Sequence, residues 1–218
     1  MQSLRFFPAA LALLTLPATG LAQLGRQQGL VDPNIAADST LQRLPFMTPA
    51  IVEALKAARP ILSVVTLDSL LTARSLSKAQ RDSLYTQMFI HVDLNRGTDA
   101  EFLLIPRAGT RMLREFKEYR PWTSFEQFNR EIGKYVRANP GEVGRLEQYM
   151  FIAIDLNTAS DSLIATFAPI GVGTRRWIRE FAEYRPWTSE EQFRREIGKY
   201  VRGNPKEVDR LWRYVIIK

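Results

Sequence analysis

The sequence contains no cysteine and only one histidine, His91. The first absence excludes disulfide staples, thiolate metal sites and a cysteine nucleophile. The second excludes His-rich metal sites and argues against a Ser-His-Asp centre. No carboxylate pair stands apart from helix caps and salt-bridge spacings as an acid/base couple. The reading is therefore of a protein that is not an enzyme, with no cofactor, no metal and no small-molecule substrate. Long hydrophobic runs are also missing. The longest apolar stretch, Phe6 to Leu16, is interrupted by Pro8 and followed by Pro17. It is shorter than the roughly 20 residues a membrane-spanning helix needs.

That stretch reads as part of a secretory signal peptide over residues 1–22. Arg5 supplies the positive start, and Gly20-Leu21-Ala22 supplies a small-x-small cleavage site. An uncleaved anchor is the alternative. Residues 23–30 read as a linker. The expected location is outside the cytoplasm, periplasmic or extracellular. An exported chain without cysteine must be stable through packing alone.

What the sequence does have is repetition. Residues 93–152 run Asp93-Leu94-Asn95, Arg114-Glu115-Phe116, Tyr119-Arg120-Pro121-Trp122-Thr123-Ser124 and Glu131-Ile132-Gly133-Lys134-Tyr135-Val136. Residues 155–217 repeat this as Asp155-Leu156-Asn157, Arg179-Glu180-Phe181, Tyr184-Arg185-Pro186-Trp187-Thr188-Ser189 and Glu196-Ile197-Gly198-Lys199-Tyr200-Val201. A fainter copy comes first, with Asp32-Pro33-Asn34, Leu44-Pro45, Arg59-Pro60 and Leu84-Tyr85. The opening Asp recurs at 32, 93 and 155, so three units of about 62 residues are expected: unit 1 (31–91), unit 2 (92–153) and unit 3 (154–218).

Each unit reads as short helices joined by turns. Ser39-x-x-Gln42 and Thr98-x-x-Glu101 look like capping boxes. Met112, Leu113, Phe116 and Tyr119, like Trp177, Ile178, Phe181 and Tyr184, form one apolar stripe. Arg-Pro ends that helix, because proline disfavours helical geometry in the residue before it. Ser124-x-x-Gln127 and Ser189-x-x-Gln192 cap a third helix. Asn139-Pro140 and Asn204-Pro205 start a fourth, with Asn as cap and Pro at the first helical position. The fold class is all-α, arranged as a tandem array. Trp122, Trp177, Trp187, Trp212, Tyr149 and Tyr214 read as core, and His91 as a surface or junction residue.

A unit opening with Asp-Leu-Asn-Thr-Ala-Ser (155–160) and ending in Tyr-Val-Ile-Ile, with a Pro-then-Gly turn, Tyr-Arg and Pro-aromatic-x-Ser between, resembles the tandem helix-hairpin-helix domain of the ComEA competence-protein family. The likeness covers residues 31–218. It implies sequence-independent binding of double-stranded DNA through hairpin backbone amides, with a role in DNA uptake. The chemistry also stands without the family. A Gly-x-Gly turn running into a helix lets the backbone approach a phosphate, and the free amides of the first turn then face the anion.

The candidate phosphate-binding residues are Gly171, Val172, Gly173, Thr174, Arg175 and Arg176 in unit 3, and Gly109, Thr110 and Arg111 in unit 2. Unit 2 has lost the first glycine of the turn. Unit 1, with Phe46-Met47-Thr48-Pro49, is expected to have lost phosphate binding. The second hairpins, Glu131-Ile132-Gly133 and Glu196-Ile197-Gly198, carry a carboxylate beside the turn and read as structural.

Charge permits this function without demanding it. The units carry net charges of +1, +1 and +3 in order, and Arg outnumbers Lys by 23 to 7. Guanidinium groups suit bidentate phosphate contacts. Arg111–Glu115, Arg114–Glu118, Arg176–Glu180 and Arg179–Glu183, however, fit the i,i+4 pattern of a solvated helix face. Two functions therefore stand: an exported binder of duplex DNA, and an envelope protein–protein scaffold beside type II secretion or pilus machinery whose hairpins no longer grip nucleic acid. DNA binding takes precedence because one hairpin keeps the necessary chemistry.

Overall fold

The computed structural model describes residues 29–137, 139, 141–167, 174–202 and 204–218. The expected signal peptide, most of the linker, and Gly171, Val172 and Gly173 lie outside the described residues. The structure is mostly helical, with 52% helix and, among the described residues, twelve helices and a few short strands, as the all-α reading requires.

Unit 1 holds α1 (Asp38–Gln42), α2 (Pro49–Ala58), α3 (Val64–Ala73) and α4 (Lys78–Leu84). Unit 2 holds α5 (Asp99–Leu103), α6 (Gly109–Glu118), α7 (Phe125–Ile132) and α8 (Gly141–Glu147). Unit 3 holds α9 (Asp161–Ala165), α10 (Thr174–Glu183), α11 (Glu190–Gly198) and α12 (Pro205–Trp212). The caps explain most starts. Thr98 makes a reciprocal box with Glu101, Ser124 and Ser189 accept from the Gln127 and Gln192 amides, and Asn204 caps α12 with Pro205 at its first position. The Ser39-x-x-Gln42 box does not form. α1 begins two residues earlier, with Ala37 at the cap position and no side-chain cap, because the repeat register places Ala37 where unit 2 has Thr98.

The apolar stretches at the unit ends pair in parallel. β1 (Val92–Asp93) lies beside β2 (Met150–Phe151), and β3 (Ile154–Asp155) beside β4 (Val215–Ile216). In unit 1 a single bridge joins Val31 to Met88. The start of each unit is thus hydrogen-bonded to its own end.

A second device recurs three times. Asp32, Asp93 and Asp155 each accept from the amide two residues on, which turns the chain and aims the following Asn side chain inward. That Asn then mimics a strand. Asn34 donates from Nδ2 to the Ile61 carbonyl (3.0 Å) and accepts from the Ile61 amide (2.7 Å). Asn95 does the same with Trp122 (2.8 and 2.7 Å), and Asn157 with Trp187 (3.0 and 2.7 Å). The arginine before the proline completes the clamp. Arg59, Arg120 and Arg185 each donate to two carbonyls of the opening turn. Buried backbone polar groups far from any ladder are thereby satisfied.

Beneath the clamp lies the aromatic core. Trp122 and Trp187 are 1% exposed, and their indole N–H groups donate to the Phe116 and Phe181 carbonyls. Trp177, Tyr149 and Tyr214 are also buried, and Trp212 packs partly buried against the unit 3 core. The units share residues at their seams. Phe89 meets Tyr149 edge-on at 4.9 Å, and Phe151 meets Tyr214 at 4.8 Å, so the end of one unit is core for the next.

His91 is buried at 1% exposure, not on the surface. It sits where the three units meet. Arg213 of unit 3 donates to the His91 carbonyl (2.8 Å), and Arg96 of unit 2 donates to the Arg213 carbonyl (2.6 Å). Burial pushes the imidazole down to about 4, against the attraction of the Asp32 carboxylate and with the repulsion of Arg213.

Candidate nucleic-acid interface

The turns that connect the first two helices of units 1 and 2 differ in what they leave open. In unit 2, Arg107 takes a left-handed backbone (φ +62) and Gly109 follows at φ +66. Arg107 occupies the place where the family resemblance puts the first glycine, so the turn keeps its shape at the strain cost of a non-glycine residue, about 1–2 kcal/mol. Gly109 is free of that cost. A Cβ built on Gly109 meets nothing within 4 Å.

The helix beyond this turn, α6, has Ala108 at its cap position, in helical backbone, with no side-chain cap. The amides of its first turn therefore have no side-chain acceptor, and Gly109, Thr110 and Arg111 are exposed around them. This is the uncapped, dipole-backed arrangement that suits an oxyanion.

Unit 1 is closed at the same place. Phe46 keeps the left-handed turn (φ +65), but Thr48 accepts from the Ile51 amide (3.3 Å) and Pro49 has no N–H to offer. In unit 3, Thr174, Arg175 and Arg176 are exposed at the start of α10, and residues 168–173 before them lie outside the described residues.

The cations around the unit 2 turn are held loosely or by aromatic rings. The Arg107 side chain is 72% exposed, and its ion pair with Glu142 is long (3.7 Å), because Glu142 is already engaged by Arg145 (2.6 Å). The Arg111 guanidinium lies over the Tyr135 ring at 5.8 Å. In unit 3 the Arg176 guanidinium lies over the Tyr200 ring at 5.1 Å. The helix-face pairing expected from the sequence is mostly replaced. Arg114 pairs with its neighbour Glu115 (3.0 Å) and Arg179 with Glu180 (3.2 Å), instead of with Glu118 and Glu183. Of the four i,i+4 pairs, Arg176–Glu180 forms, at 3.9 Å.

The reason is that Glu115 and Glu180 do not face water. They are 1% and 4% exposed, covered by the side chains of the same cluster. Burial pushes the Glu115 carboxyl up, but the Tyr135 hydroxyl and the Arg114 guanidinium outweigh it and hold it below the usual carboxylate range. The Tyr135 hydroxyl lies 3.0 Å from the Tyr119 hydroxyl, and Tyr200 lies 3.2 Å from Tyr184. Both phenols are pushed up, Tyr135 by Tyr119 and Glu115, and Tyr200 by Glu180 and Tyr184. Lys134 and Lys199 close the clusters from above, each 5.7 Å over the ring of Tyr119 or Tyr184.

Tyr135, Tyr200, Glu115, Glu180, Lys134 and Lys199 were not read as site residues from sequence. Their signal was present as a second-order repeat: both later units have Arg, Glu and Tyr four apart (111, 115, 119; 176, 180, 184) and Lys-Tyr fifteen residues beyond the Glu-Tyr pair's last member. The second hairpin of unit 2 carries no left-handed glycine. Gly133 is in ordinary helical backbone (φ −54), with Glu131 between Arg130 and Lys134.

Among the described residues, no group of three or more His, Cys, Asp and Glu side chains could hold a metal ion, and no helix is long and apolar enough to cross a membrane. Comparison of the chain with known protein families, with curated proteins and with solved structures finds no match.

Proposed function

We propose that the chain is an exported protein of the ComEA-like helix-hairpin-helix type that binds duplex DNA without regard to sequence. Phosphates are gripped by the first hairpins of units 2 and 3, and unit 1 takes no part. The observation that carries this reading is the uncapped N-terminus of α6, behind a left-handed turn and open at Gly109, with Arg107 and Arg111 exposed beside it. Amides without an internal acceptor and backed by the helix dipole favour an anion, and neighbouring guanidinium groups add charge.

The test is an electrophoretic mobility shift with unrelated duplexes at about 50 and 200 mM salt. Micromolar protein should shift every duplex equally at the lower salt. Affinity should fall roughly a hundredfold at the higher salt if about four phosphates are engaged. No shift at the lower salt ends the proposal.

One observation supports the scaffold reading for unit 1. Of the five large apolar side chains exposed among the described residues, Ile35, Phe46, Leu62 and Val65 lie there. A stoichiometric protein recovered from envelope extract after nuclease treatment supports that reading. Its loss on nuclease treatment counts against it.

A further inference from the structure

Unit 1 shows which parts of this fold are dispensable. In the register fixed by Asn34 and Asn95, and by Ser63 and Ser124, it has Ala50, Ala54 and Ala58 where unit 2 has Arg111, Glu115 and Tyr119. Arg74 stands where unit 2 has Tyr135. The clamp, the helices and the closing bridge form in unit 1 all the same. The cluster of arginine, buried glutamate and paired tyrosines is therefore not needed to fold a unit. It appears twice, with matching geometry, in the two units whose first hairpin is not closed by Thr48 and Pro49.

From this we infer that the cluster is a second phosphate-contacting surface, built from side chains, and that Tyr135 and Tyr200 are positioning residues for Arg111 and Arg176. The inference rests on the DNA-binding reading and deepens it, by naming the tyrosines that hold two of its arginines in place and adding Arg114 to its surface. Arg111 lies in the first turn of α6, with the hairpin amides, and Arg114 lies one turn further along the same helix. The Tyr135 ring lies beneath the Arg111 guanidinium, so its rotamers are restricted before any ligand arrives. A side chain ordered in advance loses less freedom on gripping a phosphate. Glu115 anchors the cluster from below, where it is covered, leaving the Arg114 side chain 72% exposed above it.

A phosphodiester backbone fits this arrangement better than an acidic protein does. It supplies evenly spaced anions that a backbone nest and an adjacent guanidinium can take together. An acidic protein surface that binds as tightly as DNA is an outcome that counts against the inference.

The experiment uses the full mature chain and three paired variants: Y135L/Y200L, Y135F/Y200F and R111Q/R176Q. Binding to duplex DNA is titrated over a salt series, with circular dichroism and thermal melting confirming the fold. The Leu pair and the Gln pair should each lower the steepness of log affinity against log salt by about 2, one phosphate per unit. Combining them should lower it no further. The Phe pair keeps the ring and should keep most of the slope.

A folded Leu pair that binds with the parental slope overturns the inference, as does a Phe pair as impaired as the Leu pair. Should the Leu pair fail to fold, the exposed Gln pair decides alone, and an unchanged slope is the overturning result. If the parental chain binds no DNA, the DNA-binding reading itself falls. That outcome is distinct from a parental chain that binds while the variants match it.

Discussion

Units 1 and 2 are built on the same clamp and differ at the same hairpin. In both, an Asx turn aims an asparagine into the backbone of a residue 27 positions on, and an arginine before a proline holds the opening carbonyls. In both, a lysine on the second helix reaches an aspartate at the start of the first: Lys56 to Asp38 and Lys117 to Asp99, each at 2.8 Å. At the hairpin they part. Unit 1 closes its amides with Thr48 and Pro49, whereas unit 2 leaves them uncapped behind Arg107 and Gly109. Residues that repeat in all three units thus report on the fold, and residues that repeat only in the later two report on what those units do.

The sharpest way to break the shared part is to remove its aromatic filling. Trp187→Ala should destabilise unit 3 by about 3–5 kcal/mol, read by denaturant unfolding, because a fully covered indole leaves a cavity and an orphaned Phe181 carbonyl. If the variant stays as stable as the parent while losing DNA binding, Trp187 belongs to the interface and not to the core.

The next largest effect concerns the seam. The His91 imidazole is held near 4 in the folded protein against about 6.5 in the unfolded chain, so only the unfolded chain takes up the proton first as pH falls. Its contribution to stability is complete above about 6.5 and declines between 6.5 and 4, by about 3 kcal/mol in all. Subtracting the stability curve of His91→Leu from that of the parent isolates the effect. A difference that is flat across that range contradicts the buried placement.

Removing the clamp itself should cost about 2 kcal/mol per unit, since each asparagine satisfies one buried amide and one buried carbonyl. Asn34→Ala, Asn95→Ala and Asn157→Ala should therefore cost similar amounts in urea unfolding. A markedly smaller cost at Asn34 would mean that unit 1 has drifted in its fold as well as at its hairpin.

The smallest stability change gives the cleanest contrast of function. Thr48→Ala loses a cap, about 1 kcal/mol, and should leave DNA affinity unaltered. Gly109→Asp puts a side chain at φ +66 in open space, at about 1 kcal/mol. It also brings a carboxylate to the mouth of the hairpin, and binding in the mobility shift should fall by more than tenfold. Equal binding by both variants would place the phosphate contacts elsewhere.

Much of the scaffold was legible because it is local. Capping boxes, Asn-Pro starts and apolar stripes act within a few residues, and Thr98, Ser124, Ser189 and Asn204 were readable as caps for that reason. The Ser39 cap was misread because its spacing fits the motif, while the repeat register assigns the cap position to Ala37. Long-range facts were not legible. His91 is buried only because three units converge on it, and three of the four helix-face ion pairs gave way where Tyr135 and Tyr200 reach Glu115 and Glu180 from another helix's end. Nor does a two-residue strand announce a partner some sixty positions distant. Val92 and Met150 look like ordinary apolar residues until the chain closes on itself.

That closure has a mechanical consequence. Because the first and last residues of each unit run side by side in the same direction, tension applied along the chain loads their hydrogen bonds lengthwise and together, in shear, instead of peeling them one at a time. Units 2 and 3 meet such a load with two-residue ladders, and unit 1 with the lone Val31–Met88 bridge. In single-molecule stretching, the first unit should yield at the lowest force, leaving units 2 and 3 closed while it extends.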